Sequence, residues 1–266
     1  MRLYYEVALR SYRRWTAYRA ATIAGVITNS FFGAIRAFVF IALYRARTDV
    51  DVAGYTLSDA LMFVWLGQGL IAVLAIWGWW EIADSIKTGS VVTDLMRPYD
   101  YYAYWFARDI GRAVYHFFFR GLTSFLIGAL LFRVAVLPAT PAQWLLFACS
   151  LVCATVTSFA FRFILNIAAF WLLDIRGIGG IATIVVTLLS GFELPLVYFP
   201  GWLRVLCDVL PFRGMVQTPA DVFLNHLTGQ GAVAAIGLQL LWIAVLVLSG
   251  RALVVAATRK VVVQGG

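Results

Sequence analysis

EIADSIKTGSVVTDLMRPYDYYAYWFARDIGR, residues 81–112, is the least apolar long stretch of the chain, and it separates two strongly apolar ones. It holds Glu81, Asp84, Lys87, Asp94, Arg97, Asp100, Arg108, Asp109 and Arg112. The sequence as a whole is 62% hydrophobic and only 13% charged, with a mean hydropathy of +0.86. Soluble domains run at about 45–50% apolar and about 25% charged. Too few polar side chains remain to cover a surface in water, so the chain reads as integrated in a membrane.

Working outward from 81–112, six segments are long enough to cross about 30 Å of hydrocarbon as helices of about 20 residues. They run 20–44, 59–80, 113–132, 143–173, 178–199 and 232–257. The fourth is overlong and is expected to tilt or project. Tyr44, Trp79, Trp80, Trp144, Trp171 and Tyr198 stand near their ends, where interfacial aromatics belong. The fold class is therefore all-α, a polytopic bundle forming a single domain over 1–266.

The basic residues orient it. One side collects Arg2, Arg10, Arg13, Arg14, Arg19, Lys87, Arg97, Arg108, Arg112, Arg176, Arg259 and Lys260; the other has Arg45, Arg47, Arg133, Arg204 and Arg213. Twelve against five puts both termini and 81–112 in the cytoplasm. A net charge of +8 could also suit nucleic acid, but no basic run interleaved with stacking aromatics lies outside the membrane flanks. No internal repeat of the kind that builds many secondary transporters is visible.

Residues 1–19 place Tyr4, Tyr5, Ala8, Leu9, Tyr12 and Trp15 on one helical face, with Arg2, Glu6, Arg10, Arg13 and Arg14 on the other. That pattern predicts an N-terminal interfacial helix lying in the headgroup region, with a solvated helix docked on a soluble domain as the other reading. No cleavable signal peptide is expected, because the first apolar segment starts late and is too long. Cys149, Cys153 and Cys207 read as packing residues. His116 and His226 are isolated, so no metal site is expected.

Within 81–112, Ile82 and Ile86 continue the second span as helix to Gly89, a C-terminal glycine. Ser90 is placed to cap a short helix from Val91 to Met96, which ends by Arg97 because Pro98 disfavours helix at the preceding residue. Asp100 can cap a third helix reaching Arg112. The short helix presents Val91, Val92, Leu95 and Met96 beside Asp94 and Arg97. It suits either a groove on a partner or the underside of its own bundle.

The run IADSIKTGSVVTDLMRPYDYY resembles the coupling-helix segment of permease subunits in type-2 ATP-binding-cassette exporters, the ABC-2 family. Ile86, Gly89, Leu95, Arg97 and Pro98 match that pattern. A second resemblance lies in GFELPLVYFPGWLRVLCDVLPFRGMVQTPADVFLN, residues 191–225, which is similar to the family's external re-entrant region. Gly191, Leu194, Pro195, Leu196, Phe199, Pro200, Leu210, Pro211, Phe212 and Pro219 carry it. Its prolines break helices where exposed backbone needs protein or water as a partner, so a helical hairpin dipping toward the bilayer is expected. The outer part is short, which departs from relatives with large external domains.

The resemblance implies a transport subunit, not an enzyme. No GxxxxGK[ST] cradle is present, so ATP and Mg would be bound by a separate ATPase in two copies, and this chain would carry no cofactor. Ile86, Lys87, Gly89, Ser90, Asp94, Leu95, Arg97 and Pro98 are the expected ATPase contacts. Gly191, Glu193, Pro195, Leu196, Phe199, Pro200, Pro211 and Phe212 are the expected outer gate. The second permease would be an identical or paralogous chain, and the site a prokaryotic inner membrane.

Buried charges form a third group. Arg36, Arg120 and Arg162 fall within the segments, and Glu193 near an outer end; such groups usually face protein or water. Asn29, Arg162 and Asn166 are candidates for a substrate path, with an interhelical clamp as the other reading of Arg162 and Asn166. Gly25, Asn29 and Gly33 share a face that suits close helix packing. The expected cargo is a small amphipathic or lipid-like molecule of drug or antibiotic type. A secondary transporter or channel would want acidic residues mid-span, and a membrane enzyme a clustered polar site; the sequence offers little of either.

Overall fold

The computed structural model describes residues 2–46, 51–52, 54–134, 136–172 and 175–259; Arg47, Leu173 and Lys260, used in the readings above, lie outside them. Helices account for nearly all of the described structure, joined by one short antiparallel hairpin, β1 (Asp51–Val52) with β2 (Tyr55–Thr56). Among the described residues, five helices are long and apolar enough to cross a membrane: α2 (Arg19–Arg45), α3 (Leu57–Leu74), the continuous Tyr101–Phe132, Pro141–Phe170, and α12 (Gly229–Thr258). The third consists of α6 (Tyr101–His116), a wide π-turn over Phe117–Gly121, and α7 (Leu122–Phe132). The fourth is α8 (Pro141–Ile167) with a tightened last turn.

The fifth expected span, 178–199, is instead the 14-residue α9 (Arg176–Leu189). At 1.5 Å per residue it reaches about 21 Å, short of the hydrocarbon thickness. Gly191, at φ +85, turns the chain just beyond its end, and Pro195 follows before helix can resume. The remaining short helices are α1 (Arg2–Thr16), α4 (Glu81–Lys87), α5 (Val91–Leu95), α10 (Gly201–Val209) and α11 (Gln217–Phe223).

The second correction concerns α3. Rather than running as helix to Gly89, it stops at Leu74; Ala75 adopts a left-handed conformation (φ 49), Gly78 follows at φ +89, and helix resumes only at Glu81. Nothing in the apolar composition of 57–80 demands a stop there. The carbonyls at the end of α3 are taken by side chains of other helices, as described below, so the break is a tertiary one.

α3 is the axis of the bundle and almost every residue of it is buried. Glycines let its neighbours approach. A Cβ on Gly121 would stand 2.7 Å from the Gly69 carbonyl oxygen, so the π-turn and α3 touch backbone to backbone. Trp65, fully buried, fills the space left by Gly33 on α2 and Gly128 on α7. This is the small-residue packing by which membrane helices associate when lipid is as apolar as their side chains.

A second apolar core closes the end of the bundle that carries both described chain ends. Ile82, Val91, Tyr101, Tyr102, Trp105, Phe159, Phe163, Ile167 and Ala257 build it, joining α4, α5, α6, α8 and α12. α1 lies parallel to α6: Tyr4 Oη accepts from the Asp100 amide, Ser11 Oγ donates to the Arg108 carbonyl, and Trp15 meets His116 edge to face at 4.7 Å. Its aromatic face is thus partly seated on α6, while Leu3 and Tyr5 stay exposed.

Candidate coupling loop and the clamp behind it

The connection 81–100 is a compact object. α4 ends at Lys87, and Gly89 turns the chain at φ +74 with open space where a Cβ would project. Ser90 does not cap α5 as expected: it has helical dihedrals, and its Oγ donates backwards to the Ser85 carbonyl at 3.2 Å. The hydroxyl therefore ties the turn to α4. Asp100 does cap the next helix, its Oδ1 accepting from the Ala103 amide at 2.6 Å.

The apolar residues of α5 divide. Val91 is buried in the second core, Val92 and Leu95 lean against it, and Met96 is 80% exposed. Lys87, Gly89, Ser90, Arg97 and Pro98 are exposed; Ile86 and Asp94 are half-buried. The loop thus packs beneath its own bundle with one side and leaves a mixed surface, centred on Met96 and Arg97, on the other.

What holds the loop comes from distant segments. Glu81 accepts from Arg14 of α1 at 2.9 Å and from Arg108 of α6 at 2.6 Å. Arg108 also lies 4.4 Å over the Trp105 ring. Behind Glu81, α8 presents Ser158, Arg162 and Asn166 at successive four-residue steps, a single face. Asn166 Oδ1 accepts from the Ala83 amide, an open donor of the first turn of α4, and its Nδ2 donates to the carbonyls of Trp79 and Arg162.

The same face closes α3. Ser158 Oγ donates to the Leu74 carbonyl, and Arg112 of α6 donates to the carbonyls of Ala72 (2.6 Å) and Val73 (2.8 Å). A cation at a helix C-terminus also suits the partial negative charge there. Asp109 binds both arginines, accepting from Arg112 Nε at 2.8 Å and from Arg162 Nη2 at 3.0 Å. All three are buried, Asp109 completely. The result is a clamp joining α3, α4, α6 and α8 at the break between α3 and α4.

Asn29, Arg162 and Asn166 are not brought together. Arg162 and Asn166 belong to the clamp, whereas Asn29 on α2 donates to the Gln68 carbonyl at 3.2 Å and accepts from Arg120 at 3.3 Å. Asp109 and Ser158 were missed in the sequence as functional candidates. Their signal was present but ambiguous: Asp109 lies at a three-residue step from Arg112, on the same helical face.

At the opposite end, Gly191, Pro195, Leu196, Pro211 and Phe212 are buried, Phe199 is half-buried, and Glu193 and Pro200 are exposed. Glu193 pairs with Arg36, whose guanidinium lies 4.4 Å from the Phe192 ring centroid. Gln217 fastens the segment, accepting from the Leu196 amide at 2.9 Å. Its Nδ-equivalent amide, Nε2, donates to Tyr55 Oη at 3.0 Å and Asp221 at 2.8 Å. Tyr55 donates to Asp221 and stacks on His226 at 4.4 Å. Burial pushes the Asp221 carboxyl above the ordinary range, and burial, with Asp221 adjacent, raises the Tyr55 phenol.

A family model described as "ABC-2 family transporter protein" matches residues 31–265. The chain belongs to that family. No curated protein and no solved structure shows a significant match. Membership makes this ABC-2 protein a membrane transport subunit of a kind that generally lacks its own nucleotide-binding site and associates with an ABC ATPase. The matched stretch includes 81–100, the clamp and 191–225, so these features belong to the family's own region of the chain and not to an appended one.

Proposed function

We propose that this ABC-2 protein is the permease subunit of an ATP-driven exporter, and that 81–100 is the lever pushed by the ATPase. The observation that carries this reading is the clamp. A surface formed by Lys87, Gly89, Ser90, Asp94, Met96, Arg97 and Pro98 sits on a segment tied to α1 and α6 through Glu81, and to α8 through Asn166. A push on that surface is passed to three elements without first being lost in a flexible linker. The apolar Met96 beside charged Arg97 suits a partner groove with a polar rim.

In this reading both termini and the lever face the cytoplasm of a prokaryotic inner membrane, and two permease chains meet over two ATPases that supply ATP and Mg. The 191–225 region, with the buried Pro195 and Pro211 and the Arg36–Glu193 pair, forms the outer gate. A small amphipathic or lipid-like cargo of drug type passes outward between the two bundles. Met96→Glu tests the lever. Because Met96 is exposed, the variant should insert and fold normally yet lose most of the stimulation of a co-encoded ABC ATPase. Unchanged co-purification and ATPase stimulation would remove 81–100 as the docking site.

A further inference from the structure

A cavity of about 180 Å³ lies between α1, the α3–α4 break and α6, lined by Trp15, Trp77, Trp79, Arg112, His116 and Arg120 among others. The three basic residues recur every four positions along one helix, so they form a single stripe on the cavity wall. Their states differ. Arg112 is committed to Asp109 and to the end of α3. His116 is 5% exposed, and its Nδ1 has no hydrogen-bond partner among the described residues. Arg120 Nε is likewise buried without one, and among the described residues the guanidinium donates only to the neutral Asn29 amide oxygen, at 3.3 Å.

Charge makes the same point. Arg112 and Arg162 already share Asp109, so that carboxylate is committed to them and not to Arg120. Among the described residues, no ion pair involves Arg120. Charges held within a protein are normally paired or hydrogen-bonded, and this half-buried one lacks a carboxylate among the described residues. Gly25 on α2 is shaped for this arginine: a Cβ there would stand 2.4 Å from the Arg120 Cζ. The charge is therefore accommodated by the fold and not an accident of a loose surface side chain.

We infer that this cavity binds an anionic headgroup, of phosphate type, carried by a membrane amphiphile, with Arg120 and His116 as its donors. The tryptophans supply the rest of the fit. Their rings give an amphipathic wall of the kind found where headgroup meets chain, and Trp77, 56% exposed, stands as an open rim. A phosphodiester would accept from the Arg120 fork and from one ring N–H of His116.

The test uses the full-length protein in neutral detergent, titrated with dioleoyl phosphatidylglycerol, dioleoyl phosphatidylcholine or inorganic phosphate, with retention read by native mass spectrometry. Phosphatidylglycerol should be retained over phosphatidylcholine. Arg120→Gln should weaken that retention about tenfold or more, the loss of a charge-assisted hydrogen bond, whereas Arg120→Lys should keep most of it. Retention of inorganic phosphate with the same Arg120 dependence would support the site and make the free anion its ligand. Equal retention of both lipids, or wild-type retention by Arg120→Gln, overturns the inference. If Arg120→Gln loses its thermal transition, His116→Gln is read instead, and wild-type retention by it overturns the inference equally. The chain is tested without an ATPase, so failure here leaves the lever reading untouched.

Discussion

At the scale of single residues, glycine decides which helices may touch. Gly121 and Gly69 allow two backbones to meet where any side chain would intrude, and Gly33 and Gly128 make room for Trp65. Gly180, by contrast, has nothing within 4 Å of where its Cβ would be. The two classes predict opposite outcomes. Gly121→Ala should destabilise by about 1–3 kcal/mol through overpacking, while Gly180→Ala should be neutral or stabilise by up to about 1 kcal/mol, because alanine is the better helix former. Thermal unfolding of the two variants in detergent checks this, and equal midpoints would deny that α3 and the π-turn meet at Gly69.

At the scale of elements, the decisive event is the interruption between α3 and α4. A helix end buried in a bundle must find partners for its last carbonyls, and here Arg112 and Ser158 provide them while Asn166 receives the new helix. Asp109 pairs with Arg112, which does part of this work, and with Arg162 on the face of Ser158 and Asn166. Asp109→Asn should therefore act on several elements at once. Removing the carboxylate from a buried pair typically costs about 3–5 kcal/mol, so the thermal midpoint should fall well below that of any single surface variant. A midpoint equal to wild type would show that the clamp contributes little. The short helix α5 and the Met96 that follows it illustrate a milder tertiary decision: Val91, Val92, Leu95 and Met96 read alike in the sequence, but the first three turn inward and Met96 is left mostly exposed.

At the scale of the whole molecule, one end of the bundle gathers the described chain ends, α4, α5 and the clamp, and the other gathers β1, β2, α10 and α11. α11 is wholly buried, whereas α10 exposes Trp202, Val205, Leu206 and Val209. The excess of Lys and Arg on the first end predicts that it is cytoplasmic. Thr88→Cys and Thr228→Cys, both at exposed positions on opposite ends, read this directly when each is combined with Cys149→Ser. In right-side-out vesicles a membrane-impermeant maleimide should label position 228 and not position 88. The reverse pattern would invert the topology and put the lever beyond reach of any cytoplasmic ATPase.

Much of this was legible beforehand. Apolar length placed the long membrane helices, because hydrocarbon thickness imposes its own ruler on the chain. Asp100 as a cap, Gly89 as a turn and the stop before Pro98 followed from local backbone chemistry. The shortness of α9 and the break after Leu74 were not legible. Both depend on which hydrogen-bond partners arrive from residues far along the chain, and periodicity carries no record of that. The same holds for Arg162 and Asn166, whose spacing announced a shared face without saying what the face would grip. The sequence by itself determined that this chain spans a membrane as helices, since lipid tests each segment separately for apolar length. Only the tertiary structure decided where those helices break and which charges pair, since a buried polar group is settled by the neighbours that close around it.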